Sequence, residues 1–240
     1  MSDRRLDWPG CQNVRDLGGL PTADGGEIRR NALIRADSLQ HLTAAAVQTI
    51  KQAGVSRIID LRSHSEVSGF PTPFTSDPLG MHLPLQDPAD PPSTATTIVD
   101  ACTEMLDLHP DLFAAVFRAM LEAPDGAVVV HCYGGKDRTG VVVALALAAA
   151  GVPEDEIVAD YFLTRANLAD LMAEQLAAEP DESLHAEMLE FRETRAESMT
   201  AILRHLDTAY GGPVAYLRQT GLTDAELKAL KQRLTRPAQS

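Results

Sequence analysis

The fold turns on one stretch: Ala127-Val128-Val129-Val130-His131-Cys132-Tyr133-Gly134-Gly135-Lys136-Asp137-Arg138-Thr139-Gly140-Val141. Its opening is a short apolar run of the kind a buried strand uses. From Val141 to Ala150 the residues are apolar again, which reads as a buried helix that Gly151 stops. Between them lies a seven-residue turn from Cys132 to Arg138. Packing does not account for a turn that buries little and crowds charge; an anion does. Successive backbone N–H groups in such a loop form an anion-binding nest, and the following helix adds its positive dipole end. Gly134 and Gly135 let the backbone bend closely around the anion. Arg138 offers a planar fork that matches two oxygens. Tyr133, Lys136, Thr139 and Gly140 complete the expected phosphate-binding set.

The same field acts on Cys132. At a helix N-terminus beside cations, a thiol pKa falls from about 8.5 into the range of roughly 3.5–7.5. Cys132 is then placed as a thiolate under a bound phosphate, in line to attack phosphorus. Phosphoryl transfer needs positioning and charge stabilisation above all, and Arg138 supplies the clamp. The leaving oxygen needs a proton. Asp137 is the nearest candidate general acid, and Asp87 and Asp90, flanked by prolines between Leu85 and Pro91, are its rivals. The Thr139 hydroxyl is a candidate to stabilise the departing thiolate, and His131 to orient the loop through backbone hydrogen bonds. No metal and no organic cofactor is implied, because Arg138 and the nest do the work a metal would do. An exposed thiol of this kind is also prone to reversible oxidation.

Working outward, Leu33–Ala36 and Val55–Leu61 read as strands on either side of a helix from about Thr43 to Ala53. Met81–Leu85 reads as an edge strand among loops. Residues 98–123 read as helix interrupted at His109-Pro110, and residues 1–26 as an irregular arm. From Pro153 the pattern is helical, broken at Pro180, and a last helix starts at Thr223 with Glu226 in capping-box position. This order predicts a single α/β domain over residues 1–240, with a central, mostly parallel sheet and a helical C-terminal region.

The formal net charge of −13 argues against nucleic acid as a partner. Most of that charge belongs to residues 154–197, which read as a solvated helical face. The longest apolar run, Val141–Val152, falls short of the ~20 residues a membrane span needs, so no stable membrane insertion is expected. Residues 1–10 carry charge but no apolar core, so no signal peptide is read there; a cytoplasmic protein is expected, with signal-less secretion compatible. Three cysteines without C-x-x-C spacing argue against a disulfide framework or a zinc site, and Cys11 and Cys102 read as inert.

On these residues the chain resembles a known family. His131-Cys132, Gly135 and Arg138-Thr139-Gly140 fill every fixed position in the signature of the cysteine-dependent protein phosphatases. Asn13-Val14-Arg15-Asp16-Leu17-Gly18-Gly19, Arg35-Ala36-Asp37-Ser38-Leu39 and Asp60-Leu61-Arg62-Ser63 with Glu66 look like the bacterial and fungal atypical tyrosine/serine phosphatases, which include secreted mycobacterial and listerial tyrosine and lipid phosphatases. Tyr210-Gly211-Gly212, Tyr216-Leu217 and Leu222-Thr223-Asp224 extend the resemblance over most of the chain. It implies a phosphomonoester hydrolase acting through a phosphocysteine on phosphotyrosine, and in varying proportion on phosphoserine/threonine and phosphoinositides. It implies Cys132 as nucleophile, Arg138 as phosphate binder and Asp137 as an acid inside the loop. Lys136 resembles the loop lysine of tumour-suppressor-type phosphoinositide phosphatases and would meet a second phosphate or a carboxylate. The partner implied is a phosphorylated protein or peptide, or a phosphoinositide. The resemblance also implies a helical lid, for which residues 154–206 are the candidate.

Several residues carry plainer readings. For Lys136 the plainer reading is a solvated side chain, and Asn13, Arg15 and Asp16 read as architecture. Arg62 either pairs with Glu66 or faces the site, as support or as a substrate contact. Two other classes fit the loop alone: a rhodanese-type sulfurtransferase and a non-catalytic phosphate reader.

Overall fold

The structure, a computed structural model, describes residues 4–90, 93–185, 188–189 and 193–236. The strands of the main sheet are β1 (Arg15–Asp16), β3 (Leu33–Ala36), β4 (Val55–Asp60), β5 (Gly80–His82) and β6 (Ala127–His131), in the order β1-β3-β6-β4-β5. All neighbours run parallel except the β1–β3 pair. The mostly parallel sheet read from the sequence is therefore present. A second, two-stranded sheet pairs β2 (Glu27–Ile28) with β7 (Thr235–Arg236) and ties the start of the chain to its end.

Strand geometry explains the continuous apolar runs. Val128 and Val130 of β6 point into one core, and Ala127 and Val129 point into the other. In β4, Ile59 and Ile58 divide the same way. The smaller core is closed by α1 (Ala44–Gln52) with Trp8 and Phe74. The larger one holds α3 (Ile98–Leu108), α4 (Pro110–Leu121), α5 (Asp137–Ala150), α8 (Ala196–Tyr210), α9 (Pro213–Gln219) and α10 (Asp224–Leu234). At the centre of this layer, α5 buries ten residues. Its Leu145 and Leu147 are fully buried and are each worth roughly 1.5–3 kcal/mol. Gly151 ends the helix in the left-handed conformation at φ +89.

The strand register sets the place of the site. Ala36, Asp60, His82 and His131 stand side by side at the carboxyl ends of β3, β4, β5 and β6. Parallel α/β sheets bind ligands beyond that edge.

Some expectations need correction. The N-terminal arm is not wholly irregular, because Arg15 and Asp16 add an antiparallel edge strand to β3. The expected lid divides into unlike parts. In it, α6 (Glu154–Asn167) buries Ile157, Asp160, Tyr161 and Thr164, and α8 buries Met199, Ile202, Leu203 and Leu206; both are core elements. Between them, α7 (Ala169–Ala178) has no buried residue. Residues 186–187 and 190–192 of the expected lid lie outside the described residues. Among the described residues no helix is long and apolar enough to cross a membrane.

Candidate active site

The turn between β6 and α5 is held by its carbonyls, from outside. The Ser38 amide donates to Tyr133 O at 2.8 Å. Asn13 Nδ2 donates to Gly134 O and Gly135 O at 3.1 and 3.2 Å. Arg35 Nη2 donates to Gly135 O at 2.7 Å and Lys136 O at 3.3 Å. A trans peptide points its N–H opposite to its C=O. With these four carbonyls drawn outward, the N–H groups of Gly134, Gly135, Lys136 and Asp137 turn the other way and form a nest for an anion. The two glycines are not equivalent. Gly135 has φ +62, and a Cβ there would sit 2.4 Å from Ala36 O. At Gly134 a Cβ meets nothing closer than 3.9 Å, so the close bend expected of both falls on Gly135.

A buried ionic hub braces this outer shell. In the β1–β3 pair, Arg15 and Arg35 stand directly opposite each other, an arrangement that costs energy by itself. Asp160 of α6 resolves it. Its carboxylate accepts from Arg15 Nε at 3.1 Å and Arg35 Nη1 at 2.9 Å, and Arg4 Nη1 lies 2.9 Å away. Burial pushes the Asp160 carboxyl up, but the three arginines together hold it well below the usual carboxylate range. Asp160 thus departs from the solvated face expected of its acidic segment. Arg15 Nη1 also donates to Asn13 Oδ1 at 2.6 Å, which closes the circuit back to the loop. Asp16 anchors the next turn by accepting from the Gly18 amide at 2.9 Å.

Beneath this shell, a cavity of about 410 Å³ is lined by Cys132, Tyr133, Gly134, Lys136, Asp137 and Arg138, by Glu66 of α2 (His64–Gly69), and by Leu168, Leu171, Met172 and Gln175. Cys132 is recessed at its floor, 2% exposed, and so is less open than the sequence reading assumed. Glu66 grips the end of the Arg138 fork, at 2.5 Å from Nη1 and 2.8 Å from Nη2. That pairing uses one proton on each Nη and leaves the Nε–H outside the grip of Glu66. Burial works against the Arg138 charge, but Glu66 and the nearby Cys132 hold its pKa above the ordinary value. Glu66 also caps its own helix, receiving the Ser63 amide at 2.7 Å, so the carboxylate is fixed twice.

Asp137 is hemmed in by protein, though 27% of its side chain reaches solvent. Burial raises its carboxyl pKa against the opposing pull of Lys136, Tyr161 and Arg138. Lys136 is 6% exposed, with Nζ 3.6 Å from Asp137 Oδ2; it is not the solvated side chain of the plainer reading. Tyr133 stands at the rim, edge-on to Phe70 with ring centroids 6.2 Å apart. His131 Nδ1 lies 3.3 Å from Cys132 O, and burial lowers the imidazole pKa more than the facing Asp60 restores it. The Thr139 hydroxyl is buried without a hydrogen-bond partner among the described residues, so it forms no bond to Cys132 here. Gly140 is packed against the ring of Tyr161.

Arg62 pairs neither with Glu66 nor with the cavity. It is fully buried on Asp60, with Nη2 to Oδ2 at 2.7 Å, and its Nη1 holds Phe70 O at 2.8 Å. Asp87 and Asp90 do not line the Cys132 cavity; they line a separate one, where Asp90 pairs with His109 at 2.8 Å. Sequence reasoning missed the partner of Arg138 and the role of Asp160. The signal was present in Glu66 of the resemblance motif, but nothing local says which arginine it meets.

Fold and site together define an α/β protein that presents a cysteine, an arginine and a cradle of amides at the carboxyl edge of its sheet. The comparison with known proteins makes this specific. Residues 6–236 match the tyrosine phosphatase family, and the chain belongs to that family. The triple specificity protein phosphatase PtpB of Mycobacterium tuberculosis is 30% identical over 277 residues, covering 96% of this chain and 98% of that protein. A tyrosine-protein phosphatase of Nostoc commune is 30% identical over 228 residues, covering 89% of this chain and 78% of that one.

Proposed function

We propose that this protein-tyrosine phosphatase works through a phosphocysteine on Cys132, with Asp137 as its in-loop acid and base. One observation carries the reading: Cys132, Asp137 and Arg138 share one cavity under a loop whose four carbonyls from Tyr133 to Lys136 are tied outward. The phosphate of the substrate rests on the loop amides and the Nε edge of Arg138. Cys132 Sγ attacks phosphorus while the bond to the leaving oxygen breaks, and Asp137 gives that oxygen its proton. Water then attacks the phosphocysteine, Asp137 takes a proton from it, and the P–S bond breaks to release inorganic phosphate. The partnerless Thr139 hydroxyl is the donor available to the departing sulfur.

The substrate is a phosphorylated protein or peptide carrying phosphotyrosine. Leu168, Leu171 and Met172 give the cavity an apolar wall for the ring. Phosphoserine/threonine and phosphoinositides are also within its range. The name of the mycobacterial relative supports that breadth, and Lys136 supplies a cation for a second anionic group. A nucleophile that must stay reduced suits the cytoplasm. The family match disfavours a sulfurtransferase or a mere phosphate reader.

The test is steady-state hydrolysis of a phosphotyrosine peptide, a phosphoserine peptide and a soluble phosphoinositide, with a chelator present, by wild type, Cys132→Ser and Asp137→Asn. The expected result is turnover by wild type that survives the chelator, none by Cys132→Ser, and a loss in Asp137→Asn that grows as the leaving group becomes more basic. Turnover by Cys132→Ser at the wild-type rate would overturn the reading.

A further inference from the structure

We propose that Tyr161, on α6, is the positioning residue for Asp137: its hydroxyl holds one carboxylate oxygen, so that the other carries the proton exchanged with substrate and water. The inference rests on Asp137 being the general acid. Tyr161 is 2% exposed, and its Oη donates to Asp137 Oδ1 at 3.3 Å. That oxygen is then an acceptor, and Oδ2, with Lys136 Nζ 3.6 Å away and no hydroxyl on it among the described residues, is the oxygen left to exchange a proton with substrate and water.

The contact is built into two helices. Asp137 and Gly140 are three residues apart on one face of α5. A Cβ at Gly140 would lie 2.9 and 3.0 Å from two ring carbons of Tyr161. The glycine therefore lets the ring lie against α5, with the hydroxyl reaching back one turn to Asp137. On α6, the adjacent Asp160 is locked to Arg15 and Arg35, and Arg15 Nη2 also donates to Thr164 Oγ1 at 3.1 Å. The helix that carries Tyr161 is thus fixed to the same hub that shapes the loop.

The charged and titratable groups around Asp137 are Cys132, Lys136 and Arg138 of its own segment, Tyr161 from α6 and Cys102 from α3. Burial, and then the charge of Asp137, push the Tyr161 phenol far above its ordinary value, so it stays a donor at every working pH. A donor to a carboxylate favours the charged form. Tyr161 therefore opposes the burial that raises Asp137. This matters because the same group must give a proton in the first step and take one in the second.

The experiment is the pH dependence of kcat/KM for an aryl phosphate in wild type, Tyr161→Phe and Asp137→Asn, with circular dichroism to confirm folding. Phenylalanine keeps the ring against Gly140 and removes only the hydroxyl. The expected result is an alkaline limb moved up by roughly half a unit to one unit in Tyr161→Phe, since Asp137 keeps its proton longer. Its kcat should fall by about threefold to tenfold, with KM little changed. An alkaline limb that stays in place in Tyr161→Phe but disappears in Asp137→Asn would overturn the role of Tyr161 alone. A limb that survives Asp137→Asn would overturn the acid assignment, and this inference with it.

Discussion

In β6 and α5 nearly every side chain is buried, and the loop between them is gripped by Asn13, Ser38 and Arg35. In α7, which walls the other side of the same cavity, none is buried. The first region is pinned, because three residues from two segments distant in sequence hold its carbonyls from Tyr133 to Lys136. The second rests on apolar contacts at the cavity itself, the pattern of a segment that opens at low free-energy cost. The difference separates two tasks. Charge stabilisation of a loose transition state needs donors fixed in advance, whereas admitting a side chain of varied size needs a wall that can yield.

The contrast is broken most forcefully at its hub. Asp160→Asn leaves Arg15 and Arg35 buried without their counter-ion and should cost about 3–5 kcal/mol in denaturant unfolding. Because the folded Asp160 carboxyl lies below its unfolded value, its contribution is present above about pH 4 and is lost as pH falls through the folded pKa. The acid limb of stability should accordingly flatten in Asp160→Asn. An unchanged unfolding midpoint would show the hub to be dispensable.

The two loop glycines sharpen the comparison within a single turn. Gly135→Ala collides with Ala36 and should lower kcat/KM by about a hundredfold, the expected result of moving the nest by an ångström. Gly134→Ala should stay within a few-fold of wild type. Equal losses at both positions would mean that the bend is distributed along the loop.

Glu66→Gln tests how the clamp is aimed. Glutamine keeps the capping box of α2 but not the charge-assisted fork. We expect kcat/KM to fall about tenfold with stability nearly unchanged. A large stability loss would make Glu66 a structural residue. The smallest effect should come from α7. Leu171→Ala should raise KM for a phosphotyrosine peptide a few-fold, and leave thermal stability within about 1 kcal/mol.

The same contrast explains what the sequence shows. The strand, turn and helix around Cys132 are local, so apolar runs, glycines and caps betray them, and with them the parallel sheet and the anion site. Pairings across long separations leave no local trace. Arg138 meets Glu66 across 72 residues, and Arg15 meets Asp160 across 145. The motif residues Asn13 and Arg35 were visible, but their task of pulling loop carbonyls outward belongs to three-dimensional geometry. Asp160 was hidden among acidic neighbours that are solvated, because burial of a single carboxylate depends on the arginines brought to it. The two-residue strands β1, β2 and β7 are too short for any periodicity to announce them.

The central claim is that phosphorus passes through Cys132. The most direct measurement is acid quench of the enzyme within a turnover of an aryl phosphate, followed by peptide mass analysis. The account predicts a phosphoryl group on the peptide containing Cys132, and more of it in Asp137→Asn, where water is no longer activated. Rapid turnover with the phosphoryl group on another residue, or with release of phosphate from Cys132→Ser, would contradict it.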